Sequence, residues 1–262
     1  MKVNIFANKN KKSSQVKKAL LKVLEKYHFE LNADDFELAI AIGGDGSFIR
    51  MIKACDYDSS KLYIGINCGT LGFLQNINPE DIDKLIRSIS KNKYKVEEVS
   101  LQETTVETKS EEFKFLSLNE VLFREKNLNT VNFKIHVDSN YLENYVGDGL
   151  LISSSVGSTA YNLSFGGSMV YNTLHTMQIT PVAPLVNSAY KNLLNSLIIP
   201  ENLEIKLTPQ KNKKAILLSI DGENITVDDI KEIIIKISKS KIKCLRLNDY
   251  HFISTIKDKF LK

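Results

Sequence analysis

Gly43, Gly44, Asp45, Gly46 and Ser47 follow an apolar run at residues 38–42 and precede a stretch with helical spacing. A glycine-rich turn from a strand into a helix gathers backbone N–H groups and the positive helix end around one small space, which suits a phosphate. Asp45 is the discordant member. At about 4 Å a carboxylate repels a phosphate charge by roughly 1 kcal/mol in water, and by more near a protein surface. An acid kept there has chemical work to do, either accepting a proton from an attacking hydroxyl or organising a magnesium ion. No lysine follows the last glycine as it would in a Walker A loop, so phosphate charge has to be met by other means. The structural alternative is an ordinary strand-to-helix connection that happens to be rich in glycine.

Three further strings combine small, polar and aromatic residues. Gly65, Gly69 and Gly72 punctuate a second glycine turn that ends in Phe73, whose flat apolar face serves either a base or the core. Asn119 and Glu120 interrupt an apolar stretch at 115–123. A polar pair in a buried strand needs partners, and a ribose diol would satisfy both; alternatively one of the two faces water. The longest string runs from Asp148 through Ser153, Ser154, Ser155, Thr159, Ala160, Tyr161 and Ser164 to Gly166 and Gly167. Its small side chains let backbone approach a flat heterocycle, its hydroxyls supply hydrogen bonds, and Tyr161 can stack. A flexible serine loop is the competing explanation, but the apolar residues at 150–152 and 160–163 pin both ends, which a linker would not need. There is no GxSxG elbow for a serine nucleophile.

The elements that must position these residues fall into two textures. Up to about Tyr94, strands at 3–7, 38–42 and 62–66 alternate with helices. The first helix is capped by Ser13 or Ser14 and carries Val16, Leu20, Val23 and Leu24 on one face. The second begins around Phe48, and the third is opened by Asn78 and Pro79. This order predicts an open parallel α/β sheet with ligands beyond the carboxyl ends of its strands, where both glycine turns fall. Later the apolar period becomes two, as in Val131, Phe133, Ile135 and Val137. More strands are expected at 113–118, 150–153, 203–207, 215–220 and 232–237, with turn signals at Asp148-Gly149 and Asp221-Gly222. A β-rich second domain of stacked-sheet or sandwich type is the expectation. Helical spacing returns at 250–262. The change of texture alone separates an α/β part up to about Tyr94 from a β-rich part beyond it.

At 262 residues, 43% hydrophobic and 25% charged, the chain has material for a sizeable core, which excludes a mostly disordered protein. A net charge of +4 suits anionic small molecules and falls short of a nucleic-acid binder. The lysines come in short groups, including those at 211–214 and 236–243, read as solvated faces. Cys55, Cys68 and Cys244 are widely spaced and fit a reducing cytoplasm, and the four histidines lack metal-ligand spacing, so no metal site built of protein ligands is expected. Nothing reads as a leader or a membrane span, and the expectation is a soluble cytoplasmic protein with no membrane or nucleic-acid partner.

Taken together, the GGDGS string, GINCGTLGFL at 65–74, LNEV at 118–121, DGLLISSSVGSTAYNLSFGG at 148–167, ITPVAP at 179–184 and SIDGE at 219–223 resemble the NAD kinase family, in the expected order and over nearly the whole chain. Ser155 and Val156 stand where the family usually has proline and threonine, and Ser47 where threonine is commoner. The resemblance implies transfer of a phosphoryl group from ATP with magnesium to the 2'-hydroxyl of the adenosine ribose of NAD, with polyphosphate as an alternative donor. It implies Asp45 beside that hydroxyl as general base or orienter, with Gly44 and Gly46 at the NAD site as well, and with Gly43, Gly44 and Gly46 along the ATP phosphate path. Phe73, Asn119, Glu120, Thr159, Ala160, Tyr161 and Ser164 would contact NAD, as would Asp148 and Asp221, for which a purely structural turn role competes. It also implies an α/β domain at 1–97 completed by 247–262, the final helix returning to it, a β-rich dinucleotide-binding domain at 98–246, and a homodimer or homotetramer. Two rivals stay open, another kinase with the same GGDG loop acting on a lipid or sugar, and a non-catalytic NAD(P) sensor.

Overall fold

The computed structural model describes residues 1–69, 72–75, 77–188, 191–210 and 215–261; Thr70 and Leu71 of the second glycine turn and the lysine group at 211–214 lie outside them. The chain divides into two compact units, Met1–Val99 with Ser240–Lys262, and Ser100–Lys239.

In the first unit, β1 (Lys2–Ala7), α1 (Lys11–Lys26), β2 (Glu30–Leu31), β3 (Leu38–Gly43), α2 (Asp45–Ala54), β4 (Leu62–Asn67) and α3 (Ile82–Ser90) follow in turn. The strands pair in parallel in the order β2-β1-β3-β4. Every residue of β3 is buried, because helices cover both faces of the sheet and no position is left for a polar side chain. Leu20 and Leu24 of α1, Ile40 and Ile42 of β3, Ile64 and Ile66 of β4, and Leu85 and Ile86 of α3 share one core. The α1 cap differs from expectation. Asn10, not Ser13 or Ser14, closes the helix by accepting the Ser13 N–H at 2.8 Å, which leaves Ser13 inside the first turn and buried. Helix α2 starts at Asp45, three residues earlier than the apolar spacing suggested. Gly43 and Asn67 are register partners at the carboxyl ends of β3 and β4, and Cys68 N–H donates to the Gly43 carbonyl at 2.8 Å, so the two glycine turns leave the sheet side by side. The C-terminal helix Phe252–Phe260 belongs to this unit.

The β-rich part is antiparallel. It comprises β5 (Lys95–Thr108), whose start lies in the first unit, β6 (Glu112–Ser117), β7 (Glu120–Glu125), β8 (Val131–Val137), β9 (Asn140–Ser154), β10 (Thr176–Pro184), β11 (Leu197–Pro200), β12 (Ile205–Pro209), β13 (Ile216–Ile220), β14 (Glu223–Val227) and β15 (Ile230–Arg246), whose end from Ser240 lies in the first unit and pairs in parallel with β4 at Lys243 and Cys244. The first half of β9 pairs with β8; its second half lies between β7 and β10. Alternating residues such as Phe133 and Ile135, Leu150 and Ile152, and Leu218 and Ile220 point into a common core. Two expectations are corrected. Asp148-Gly149 is no turn but the interior of β9; the glycine is there because a Cβ would lie 2.9 Å from the Phe123 carbonyl of the adjacent strand. The run from 115 to 123 is not one strand either, since it breaks between β6 and β7 at Leu118 and Asn119. Asp221-Gly222, by contrast, is a tight turn between β13 and β14 with φ of +48° and +86°, the left-handed pair that such two-residue hairpins need. No helix among the described residues is long and apolar enough to cross a membrane.

Candidate functional site

Each unit carries one polar constellation. In the first, Gly44 is the extended residue before α2 and Asp45 opens the helix. The Asp45 carboxylate turns onto the second glycine segment. Its Oδ2 accepts the Phe73 N–H at 3.0 Å, and its Oδ1 accepts those of Leu74 at 3.1 Å and Gln75 at 3.2 Å. A side chain at Gly72 would collide with this carboxylate, which is the physical reason for glycine there. Gln75, fully buried, donates from Nε2 to the Gly44 carbonyl at 2.8 Å and so ties the same two segments together a second time. Gly44 and Gly46 leave backbone open, with no atom within 4 Å of a Cβ built at Gly44. Gly43 instead packs against Ser47 and Asn8.

Phe73 is buried, its ring 5.8 Å from that of Phe252 and 5.7 Å from that of Phe260. Lys259, on the C-terminal helix, lies over the Phe73 ring at 4.5 Å and 4.0 Å from Asp45 Oδ2. Behind the segment, Arg246 Nε meets Glu97 at 2.5 Å in a buried ion pair, and its Nη1 donates to the Leu74 carbonyl at 3.2 Å. The stretch that orients Asp45 is therefore itself held from below.

In the second unit the break at 118–119 is the organising feature. Asp221 accepts the amides of Leu118 at 2.7 Å, Asn119 at 2.8 Å and Glu120 at 3.2 Å, the left-handed turn having aimed its carboxylate at them. Ser154 Oγ donates to the Leu118 carbonyl at 2.7 Å and accepts the Gly157 N–H at 3.1 Å, while Gly157 presses on the Asn119 backbone so closely that no Cβ would fit. Residues Val156–Thr159 form a 3-10 turn and Tyr161–Ser164 a single helical turn, α4. Asn162, wholly buried, holds them by accepting Thr180 Oγ1–H at 2.6 Å and donating to the Ser158 carbonyl at 3.2 Å.

Glu120 is buried beside this web and its Oε2 has no hydrogen-bond partner. Burial, with the Asp221 charge adding to it, pushes its carboxyl up to about 8, against a lowering contribution from the Tyr161 amide. Between the ordinary carboxylate range and that value the folded protein holds a proton that the unfolded chain has lost, so rising pH through this window removes stability. Glu120→Gln, which keeps the neutral shape, is expected to gain in Tm over the parent as pH is raised from 5 to 9. Parallel melting curves across that range would contradict the burial argument.

Asn119, Glu120, Thr159, Tyr161 and Asp221 are thus gathered in one region of the second unit, with Asn119 and Thr159 buried and Tyr161 exposed, its ring 4.7 Å from Phe165. Ala160 is half-buried and Ser164 exposed on the same short segment. Asp148 stands apart from that web, exposed in the middle of β9. Sequence reasoning missed Gln75, Asn162, Lys259 and the Glu97–Arg246 pair. The first two carry a readable signal, a lone amide among buried neighbours; the others are joined across long separations that no local pattern marks.

Known proteins resemble this chain in sequence and in fold. The family model for the ATP-NAD kinase N-terminal domain matches residues 3–94, and that for the ATP-NAD kinase C-terminal domain matches 118–247. The chain is 35% identical over 268 residues to the NAD kinase of Finegoldia magna, covering 99% of this chain and 97% of that one. It is 29% identical over 264 residues to the NAD kinase of Staphylococcus saprophyticus, covering 100% and 98%. Among solved structures, the yeast NADH kinase complexed with NADH superposes with a TM-score of 0.81 at 19% identity, over 98% of this chain and 86% of that one. The NAD kinase of Archaeoglobus fulgidus in complex with ATP superposes with a TM-score of 0.77 at 20% identity, over 98% of both. With both halves matched by family models and a relative aligned from end to end, the chain belongs to the ATP-NAD kinase family.

Proposed function

We propose that the protein transfers the γ-phosphoryl group of ATP to the 2'-hydroxyl of the adenosine ribose of NAD, giving NADP and ADP, with Asp45 as the acid that orients and deprotonates that hydroxyl. Family membership supports the reaction. At the level of residues, one observation carries the reading. The Asp45 carboxylate has about four lone-pair directions and three are filled by backbone amides, which leaves one, on Oδ2, at the mouth of a glycine turn. A carboxylate held this rigidly can align one hydroxyl. Phosphoryl transfer is mostly alignment and charge stabilisation, so one such group is a sufficient side-chain inventory. The O2'–P bond forms as the bond from the γ-phosphorus to the bridging oxygen breaks, the electron pair leaves on ADP and the hydroxyl proton passes to Asp45.

Gly44 and Gly46 present open backbone to the ATP phosphates, with Gly43 closing the strand behind them. Asn119, Glu120, Thr159, Ala160, Tyr161 and Ser164 bind the dinucleotide. Glu120, whose carboxyl burial pushes up to about 8, can in its protonated form both donate to and accept from a ribose diol. Phe73 acts at this site through the segment it anchors, and Asp221 through the bend it holds, while Asp148 supplies an exposed polar contact.

Among the described residues no group of three or more His, Cys, Asp or Glu side chains could hold a metal, and both Asp45 oxygens are engaged by amides. That donor set fits a magnesium ion that arrives on the ATP phosphates and is completed by water. When bound, it offsets phosphate charge. A cytoplasmic homodimer or homotetramer completes the proposal.

The reaction is tested by incubating the purified protein with NAD or NADH and with ATP-magnesium or polyphosphate, and following NADP(H). Formation of NADP from NAD and ATP is expected. ATP turnover with a lipid or sugar acceptor alone, or tight NAD binding without turnover, would assign the chain to one of the rival functions. Tyr161→Ala is expected to weaken NAD binding by roughly 1–3 kcal/mol, the usual worth of one stacked base. An unchanged dissociation constant in calorimetry would remove Tyr161 from the site.

A further inference from the structure

A carboxylate at a phosphate-binding turn leaves an electrostatic deficit. The GGDGS turn has no lysine of its own. The nearest arginine on α2, Arg50, donates to Asn8 Oδ1 at 2.8 Å and to Ser47 Oγ at 3.1 Å, and so is directed to the strand end rather than to Asp45. Among the described residues, a cation that does face Asp45 comes from the other end of the chain. Lys259 Nζ lies 4.0 Å from Asp45 Oδ2, the oxygen that accepts only one amide.

We propose that Lys259, delivered by the C-terminal helix, is the phosphate-binding cation of this enzyme, contacting the phosphoryl group in transit while Asp45 holds the hydroxyl that attacks it. The proposal rests on the kinase reading above. Three observations carry it. First, 4.0 Å is too long for an ammonium–carboxylate hydrogen bond, which would close to 2.7–2.9 Å. The two groups therefore face a shared position, since an oxygen roughly 3 Å from each completes a triangle with them. Second, the lysine stem is steered. It crosses the Phe73 ring at 4.5 Å, and Phe252 and Phe260 clamp the helix to that same ring. Third, Phe73 also donates its N–H to Asp45 Oδ2, so one residue fixes both the acid and the cation. As a stability device alone, a half-buried pair at this separation contributes little. As a charge beside a transferring phosphoryl it offsets the repulsion that Asp45 imposes. Lys259 moves no proton; the hydroxyl proton still goes to Asp45 and the leaving electron pair to ADP.

The test compares the full-length enzyme with Lys259→Met, which keeps the apolar stem over Phe73, and Lys259→Arg, which keeps the charge. The expected result is a loss of kcat of roughly 10- to 100-fold in K259M, recovery of most of it in K259R, an unchanged dissociation constant for NAD, and Tm values close to the parent. Parental turnover in K259M would overturn the proposal. So would equal losses in both variants accompanied by lowered Tm, which would make the lysine a helix clamp. Calorimetry with inorganic tripolyphosphate and magnesium separates this idea from the kinase reading. If the parent protein makes no NADP the kinase reading fails, yet weaker tripolyphosphate binding by K259M would still support a phosphate-binding Lys259, and unchanged binding would sink it.

Discussion

Replacing Asp45 by asparagine is expected to lower turnover by roughly two to four orders of magnitude while NAD still binds, because the change removes a proton acceptor in the transition state and little of the ground-state contact surface. The geometry sharpens this expectation. Three amide N–H groups converge on the carboxylate, and an asparagine can offer them only one oxygen. Its NH2 group would then oppose at least one donor from Phe73, Leu74 or Gln75, so the segment should loosen as well as lose its acid. Asp45→Asn is thus expected to show a lower Tm besides the lower kcat. Parental turnover in a folded variant would refute the assigned role.

The second large effect is expected at Asp221. Asp221→Asn keeps a residue that tolerates the left-handed φ of +48°, so the turn itself should survive. What is lost is a charged acceptor shared by the amides of Leu118, Asn119 and Glu120. Hydrogen bonds to charged groups contribute about 1.5–3 kcal/mol each, and water will replace part of that at a half-buried site, so a net loss of roughly 2–4 kcal/mol is expected, or on the order of 5–15 °C in Tm. NAD binding should weaken in parallel, since the bend presents Asn119 and Glu120. A Tm within a degree or two of the parent would show that the three amides find other partners.

The contrast between these two acids shows what could be read in the chain beforehand. Asp45 was legible because a charge at a glycine turn after a buried strand conflicts with its surroundings, and the conflict is local. The parallel sheet was legible for the same kind of reason: apolar runs such as Leu38–Gly43 leave no polar face, and such strands need helices on both sides. Asp221 could be placed in a turn by its Asp-Gly pair, but its partners lie a hundred residues away at Leu118–Glu120, and no spacing rule connects them. Asp148 carried the same dipeptide and proved to be mid-strand, because a glycine beside the Phe123 carbonyl answers a packing demand that looks identical to a turn signal in one dimension. The Asn10 cap was missed for a smaller reason, since a serine nearer the apolar face was an equally good oxygen acceptor. The Glu97–Arg246 pair and Lys259 were invisible in principle, being created by the return of the chain's end to its first unit.

This structure raises a sharper question about Asp45 than the sequence could. Its carboxylate does not wait in open solvent; it is the keystone between the first turn of α2 and residues 72–75, and only one direction on Oδ2 remains for a substrate. The most direct measurement is a crystal structure of the protein with NAD bound in the absence of ATP. It should show the ribose O2' within about 2.6–3.2 Å of Asp45 Oδ2, with the amides of Phe73, Leu74 and Gln75 still in place. An adenosine ribose bound with its 2'-oxygen far from that carboxylate, in an enzyme that still makes NADP, would contradict the account.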